Sequence, residues 1–148
     1  MKRTAELTLT IIGLVLSLAS VAFTGFITIF FNTDFSRQNF EEGYNEGVME
    51  MGESVNPGEA DSVLNIMLTF GWIIIVVFII AIITSAISIY FYIGNKKPKA
   101  ASIMMIITGV VVGLGTALTG FLPALLFLIA GIVGLVRKPP KDPIAIEA

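Results

Sequence analysis

Few side chains in this 148-residue sequence could do chemistry, and most of those that could are carboxylates gathered in one stretch. Asn39 to Glu53, "NFEEGYNEGVMEMGE", holds five Glu and three Gly in fifteen positions of a chain that is otherwise 55% hydrophobic and 14% charged. Glu42, Glu46, Glu50 and Glu53 recur at spacings of four, four and three, which on a helix makes one acidic stripe. Such a stripe could attract a cationic partner, whether a basic protein segment, a cationic peptide or a loosely held divalent ion. The alternation of Asp and Asn around a Gly that marks a calcium loop is absent, so no metal site is expected. Glu pairs at i and i+4 repel one another, so local helix stability does not explain the stripe.

The chain contains no Cys and no His. That removes disulfides, thiolate zinc sites, Cys nucleophiles and the usual general base. Neither a Ser–His pair nor paired carboxylates within the apolar stretches can be assembled, so no enzyme, catalytic residue or cofactor is expected. The composition, far below the one-quarter charged residues of soluble domains, is that of a membrane protein, and no nucleic-acid partner is expected.

The elements that must position the acidic stripe follow from the charges. They fall into four clusters that leave three uncharged stretches, 7 to 33, 62 to 95 and 100 to 136. A helical span takes about 20 apolar residues, so the first two stretches make one span each. The third, at 37 residues, is too long for one and just long enough for two short ones. Lys and Arg near span ends stay cytoplasmic, and "KKPK" and "RKPPK" flank this stretch, so it should cross twice, with the break at "TGFLP". There Gly120 allows an unusual backbone angle and Pro123 suits a first helical turn. Four spans with both termini cytoplasmic put eight basic residues inside and one, Arg37, outside, against three acidic residues inside and eight outside.

The expected architecture is an all-α integral membrane four-helix bundle, a single membrane domain over 1–148. Its spans cover about 7–31, 63–93, 101–118 and 121–136, with an acidic outer segment at 32–62 and a Pro-rich cytoplasmic tail at 137–148. A competing reading takes "MKR", the apolar run and Ser17-Leu18-Ala19 as a cleaved secretory signal, although the apolar run extends to Phe31, beyond a normal signal core.

Trp72, Tyr90 and Tyr92 are suited to the membrane interfaces. The 18 residues from Trp72 to Tyr90 rise about 27 Å, close to the hydrocarbon thickness. The membrane part of the second span is then about 72–92, and Val63 to Gly71 project outside as helix, N-capped by Asp61 or Ser62; the alternative is a long tilted span. Asn56-Pro57-Gly58 is a turn. Phe40, Tyr44, Val48 and Met51 form the face opposite the Glu stripe, about 200° away. An amphipathic external helix therefore stands between spans 1 and 2, its apolar face packed on the projecting residues Leu64 to Phe70.

The spans carry small residues at helical spacing: Gly13, Ser17, Ser20 and Thr24 in the first, Gly109, Gly113, Thr116 and Gly120 in the third, and Gly131 and Gly134 in the fourth. These suit close helix packing within one bundle, or self-association and docking to another membrane protein. Apart from Glu6 at the cytoplasmic edge the spans hold no ionisable group, which weakens a coupled-transporter reading. Small multidrug exporters also have four short spans, but rely on a carboxylate in the first that is missing here. A faint echo, "AFTGF" at 22–26 and "ALTGF" at 117–121, admits an internal duplication.

The opening "MKRTAELTLTIIG", an external acidic loop and Gly-rich third and fourth spans together resemble a family of small four-span membrane proteins of Gram-positive bacteria, the domain-of-unknown-function family forty sixty-four. The resemblance implies a bacterial plasma membrane and no assigned mechanism. Claudin-like tetraspans share a large first outer loop, but the Trp and paired Cys of that loop are missing here. The expected partners are the lipid bilayer and a further membrane protein or a cationic extracellular molecule, bound by the acidic outer cap. An oligomeric transporter or channel lined by the Ser and Thr stripe of the first span is the other class.

Overall fold

A computed structural model of the chain describes residues 4–93 and 96–137. The described residues are helical apart from short connections. In order they form α1 (Thr4–Phe31), α2 (Asp34–Glu50), α3 (Glu59–Tyr92), α4 (Pro98–Gly115) and α5 (Phe121–Val136). The Pro-rich tail beyond residue 137 lies outside the described residues.

Three of the helices, α1, α3 and α4, are long and apolar enough to cross a membrane, and α5 is a shorter apolar helix of 16 residues. The main contacts run α1 to α3, α3 to α4, α4 to α5 and α5 back to α1, so the four apolar helices close a ring. The core is small: Phe78, Ala81, Tyr92, Ala101, Met105, Val112, Ala124 and Phe127 are buried together. Large side chains such as Ile73, Val76, Ile80, Ile83 and Ile107 remain exposed. That inside-out distribution suits a hydrocarbon surround, where exposing Ile costs nothing.

Glycine sets how close α4 and α5 come. A methyl group at Gly131 would stand 2.7 Å from the Ser102 carbonyl oxygen and 2.9 Å from the Ile106 backbone nitrogen, and one at Gly109 would stand 2.9 Å from the Ala124 carbonyl oxygen. Only hydrogen fits there, and backbones approach as small-residue packing predicts. The wall formed by α5 on α1 is similar, with the Phe127 ring seated against Gly13.

The four helices are unequal. At 1.5 Å per residue, α1 and α3 reach about 42 and 51 Å, whereas α4 and α5 reach about 27 and 24 Å. Helices α3, α4 and α5 are level at the end where Tyr92 meets Ser102 and Gly134, and the Glu6–Arg137 contact brings the start of α1 to the end of α5 there. At the other end the α4–α5 turn stops beside Val77 and Phe78, which pack against Gly115 and Gly120. Beyond that level α1 and α3 continue as a pair, touching where Thr28 meets Gly71, and α2 packs mainly on α3.

The α4–α5 turn differs from expectation. Gly120 has an ordinary φ of −88°, and the left-handed angles fall on Ala117 (φ 48°) and Leu118 (φ 69°). Hydrogen bonding accounts for it. Ala117, Leu118 and Thr119 donate their N–H groups to Leu114, Gly113 and Thr116, while Gly120 N–H donates to the buried Thr116 hydroxyl. The turn thereby satisfies its own donors and needs no water, a requirement for irregular backbone surrounded by apolar matter. The echoed pentapeptides also take different backbones: 22–26 lie within α1, whereas 117–121 make this turn.

The α3 helix starts at Glu59, ahead of the expected Asp61 or Ser62 cap. Gly58 at φ 82° closes the Asn56-Pro57-Gly58 turn, and the Asn56 amide donates to the Glu59 carboxylate. Asp61 instead accepts from Arg37 at 2.8 Å, and Arg37 also donates to Asn32 and Asn65. This cluster ties α2 to α3. Because the Arg37 and Asp61 side chains are 29% and 56% exposed, the tie is worth about 0.5 to 1 kcal/mol. Arg37→Gln should therefore leave α1 and α3 intact and accelerate amide exchange within α2 by about two- to fivefold, measured by hydrogen–deuterium exchange.

Candidate partner-binding face

Helix α2 begins where Thr33 in extended conformation caps it, its hydroxyl accepting from the Ser36 N–H. The helix ends in a Schellman turn: Gly52 at φ 79° donates its N–H to Met49, and Glu53 N–H reaches back to Val48. Between these ends Ser36 and Val48 are buried, Phe40 and Tyr44 are half-buried with their rings stacked at 6.2 Å, and all face inward.

Glu42, Glu46 and Glu50 lie exposed on the other side. Glu53 is exposed as well, but it follows the Gly52 turn and so stands beyond the helix that carries the other three. Met51 departs from its expected place. It is the C-cap residue and 74% exposed, because the helix ends before a further turn could bring it inward. Arg37, on the first turn, is already bound to Asp61, so the exposed α2 carboxylates face outward without a basic residue of α2 to offset them.

Between the far halves of α1 and α3 lies an apolar groove of about 220 Å³ whose lining includes Thr24, Ile27, Phe31, Phe40, Met67 and Gly71. Its origin is the inequality of the helices. Thr24 and Phe31 stand 11 and 18 residues beyond Gly13, close to whole turns, so they share the face that Gly13 presents to Phe127 of α5. Met67 and Gly71 similarly share the face that Phe78 presents to Gly120. The groove is thus the face that α4 and α5 would have covered had they been longer, and Phe40 of α2 lies over it.

The remaining singled-out residues divide clearly. Ser17 is buried, and Ser17 and Ser20 each donate to the carbonyl four residues back, as Ser and Thr do on apolar helices. Gly113 has only Ala124 nearby at 3.6 Å, and Gly134 lies against Ser102 and Tyr92. Thr116 is fully buried in the α4–α5 turn. Trp72 and Tyr90 are 54% and 58% exposed, with Lys96 stacked 4.0 Å over the Tyr90 ring. Tyr92 is no surface anchor. It is 4% exposed because it continues the Phe78, Ala81, Ser85, Ser88 face of α3 into the core, where its hydroxyl meets Ser102 at 3.2 Å.

One feature escaped the sequence. Glu6, expected at the cytoplasmic edge with no partner assigned, is fully buried and bound to Arg137 at 3.0 Å, joining the start of α1 to the end of α5. The available signal was its place on one helical stripe with Thr10, Gly13 and Ser17. Nothing in sequence alone paired it with a residue 131 positions away. Ser85 and Ser88 add two buried hydroxyls that make no hydrogen bond among the described residues.

These features define a class: an all-helical protein with three helices of membrane-crossing length and an acidic helix set beside two of them. Within it, the chain belongs to the family described as "Protein of unknown function (DUF4064)", whose match runs over residues 2–115 and so ends with α4. No curated protein and no solved structure matches the chain.

Proposed function

We propose that the chain is a non-enzymatic integral protein of a bacterial plasma membrane, with four spans and both termini cytoplasmic, that works by protein interaction through its acidic outer cap. It would serve as an accessory or regulatory subunit, or protect the envelope against stress and cationic antimicrobial peptides. The observation that carries this reading is the division of α2. Phe40, Tyr44 and Val48 are turned inward, so packing accounts for them, while Glu42, Glu46 and Glu50 face outward, where packing explains nothing. The distribution of Lys and Arg supports the orientation.

A second reading, an oligomeric transporter or channel, draws support from Glu6, Thr10, Ser17, Ser85 and Ser88, buried polar residues of the kind that mark pathways. Against it, Thr10 and Ser17 already donate to their own helix.

Crosslinking in native membranes followed by mass spectrometry separates the two. A heterologous partner, lost when Glu42, Glu46, Glu50 and Glu53 are all changed to Gln, is the expected result. A pure homo-oligomer that conducts ions in liposomes would contradict the interaction reading.

A further inference from the structure

We infer that the groove beneath Phe40 receives the apolar face of a cationic amphipathic peptide whose basic residues meet the acidic side of α2; this rests on the docking reading proposed above and specifies its partner. Three observations on different elements converge on the groove. First, its walls are the inner faces of α1 and α3 left uncovered because the α4–α5 turn ends beside Phe78. Apolar surface that would normally be sealed by the protein's own helices is available to another molecule.

Second, its depth favours a ligand arriving from water. Gly71, Leu68, Met67 and Leu64 line the groove at and beyond the level of Trp72, by up to eight residues or about 12 Å. With Trp72 at the outer interface, the part of the groove lined by Leu64, Met67 and Leu68 stands beyond it, within reach of a ligand arriving from water, whereas Thr24, one turn before the Thr28 that meets Gly71, lines its membrane side. Phe23, Ile27 and Met67 on its walls are 38% to 68% exposed.

Third, charge selects the occupant. On α2, Glu41 lies about 100° from Phe40 on one side, and Glu50 about 80° on the other. Both are exposed, so carboxylates flank the groove's cover from both sides. An anionic lipid or acidic peptide would be repelled, whereas a peptide with one apolar and one basic face matches both surfaces at once.

The test uses the full chain in phosphatidylcholine nanodiscs and a synthetic Leu/Lys amphipathic peptide carrying photoreactive Leu, with a Leu/Glu peptide as counterpart. Crosslinks from the Leu/Lys peptide should map to Thr24, Phe31, Phe40 and Met67. Met67→Trp, at a position 57% exposed and therefore tolerant, should fill the groove and cut these crosslinks at least fivefold. Thr24→Leu serves as a second filling variant should Met67→Trp fail to fold. Loss of labelling with the four Glu→Gln changes but not with either filling variant would overturn the groove assignment while leaving the docking reading intact. No labelling above empty nanodiscs would overturn both. Equal labelling by the Leu/Glu peptide would overturn the selection by charge.

Discussion

Gly131→Ala should destabilise the protein by about 2 kcal/mol, and Gly131→Leu by about 3 kcal/mol or more, measured by equilibrium unfolding in detergent. The added methyl meets the Ser102 carbonyl oxygen at 2.7 Å and the Ile106 nitrogen at 2.9 Å, and neither can turn aside as a side chain would. Helices α4 and α5 must then separate, which loses contacts along both, and overpacking of this kind costs about 1 to 3 kcal/mol. Gly113→Ala is the control on the facing helix. Its nearest neighbour would be the Ala124 methyl at 3.6 Å, an ordinary contact, and the exchange removes the helix penalty of glycine. It should be neutral or stabilising by up to about 1 kcal/mol.

Removing Arg137 should have the second largest effect. Glu6 is fully buried, and deleting one member of a buried ion pair costs about 3 to 5 kcal/mol, because the remaining charge keeps its desolvation penalty. Arg137 is 39% exposed and partly screened, so about 2 kcal/mol is the expected loss for Arg137→Gln. Glu6→Gln with Arg137→Gln should recover part of it, since no charge is then left buried without its Arg137 contact. A double-mutant cycle reads the coupling directly. Additive losses would mean that the 3.0 Å contact contributes nothing to stability.

The residues that were legible in the sequence are those governed by local pattern. The uncharged stretches 7–33, 62–95 and 100–136 carry the helices Thr4–Phe31, Glu59–Tyr92 and the pair Pro98–Gly115 and Phe121–Val136. The spacing of Phe40, Tyr44 and Val48 gave the inward face of α2, because periodicity alone determines which side chains share a face. Errors gathered where tertiary contact decides. Residue type alone suits Tyr92 to the interface, yet its position on the Phe78 face of α3 carries it into the core. Gly120 is the residue type that allows an unusual angle in the α4–α5 turn, whereas it accepts ordinary geometry with its N–H on the Thr116 hydroxyl and the left-handed angles fall on Ala117 and Leu118. The Glu6–Arg137 pair and the groove depend on helix level and length, which are relations between elements and leave no trace in any one segment.

That inequality of length also gives the fold its functional asymmetry. At one end four helices close around Tyr92, Ser102 and Gly134; at the other two helices stand alone beneath an acidic helix. The interaction proposed for α2 requires that second end to face outward.

Because the chain has no Cys, a single introduced thiol reports its own location. Gln38 is exposed on α2, and Lys97 stands at the opposite end, just before α4. In intact cells a membrane-impermeant maleimide should label Gln38→Cys fully and Lys97→Cys only after permeabilisation. Protection of Gln38→Cys together with ready labelling of Lys97→Cys would turn the acidic face toward the cytoplasm and contradict the account.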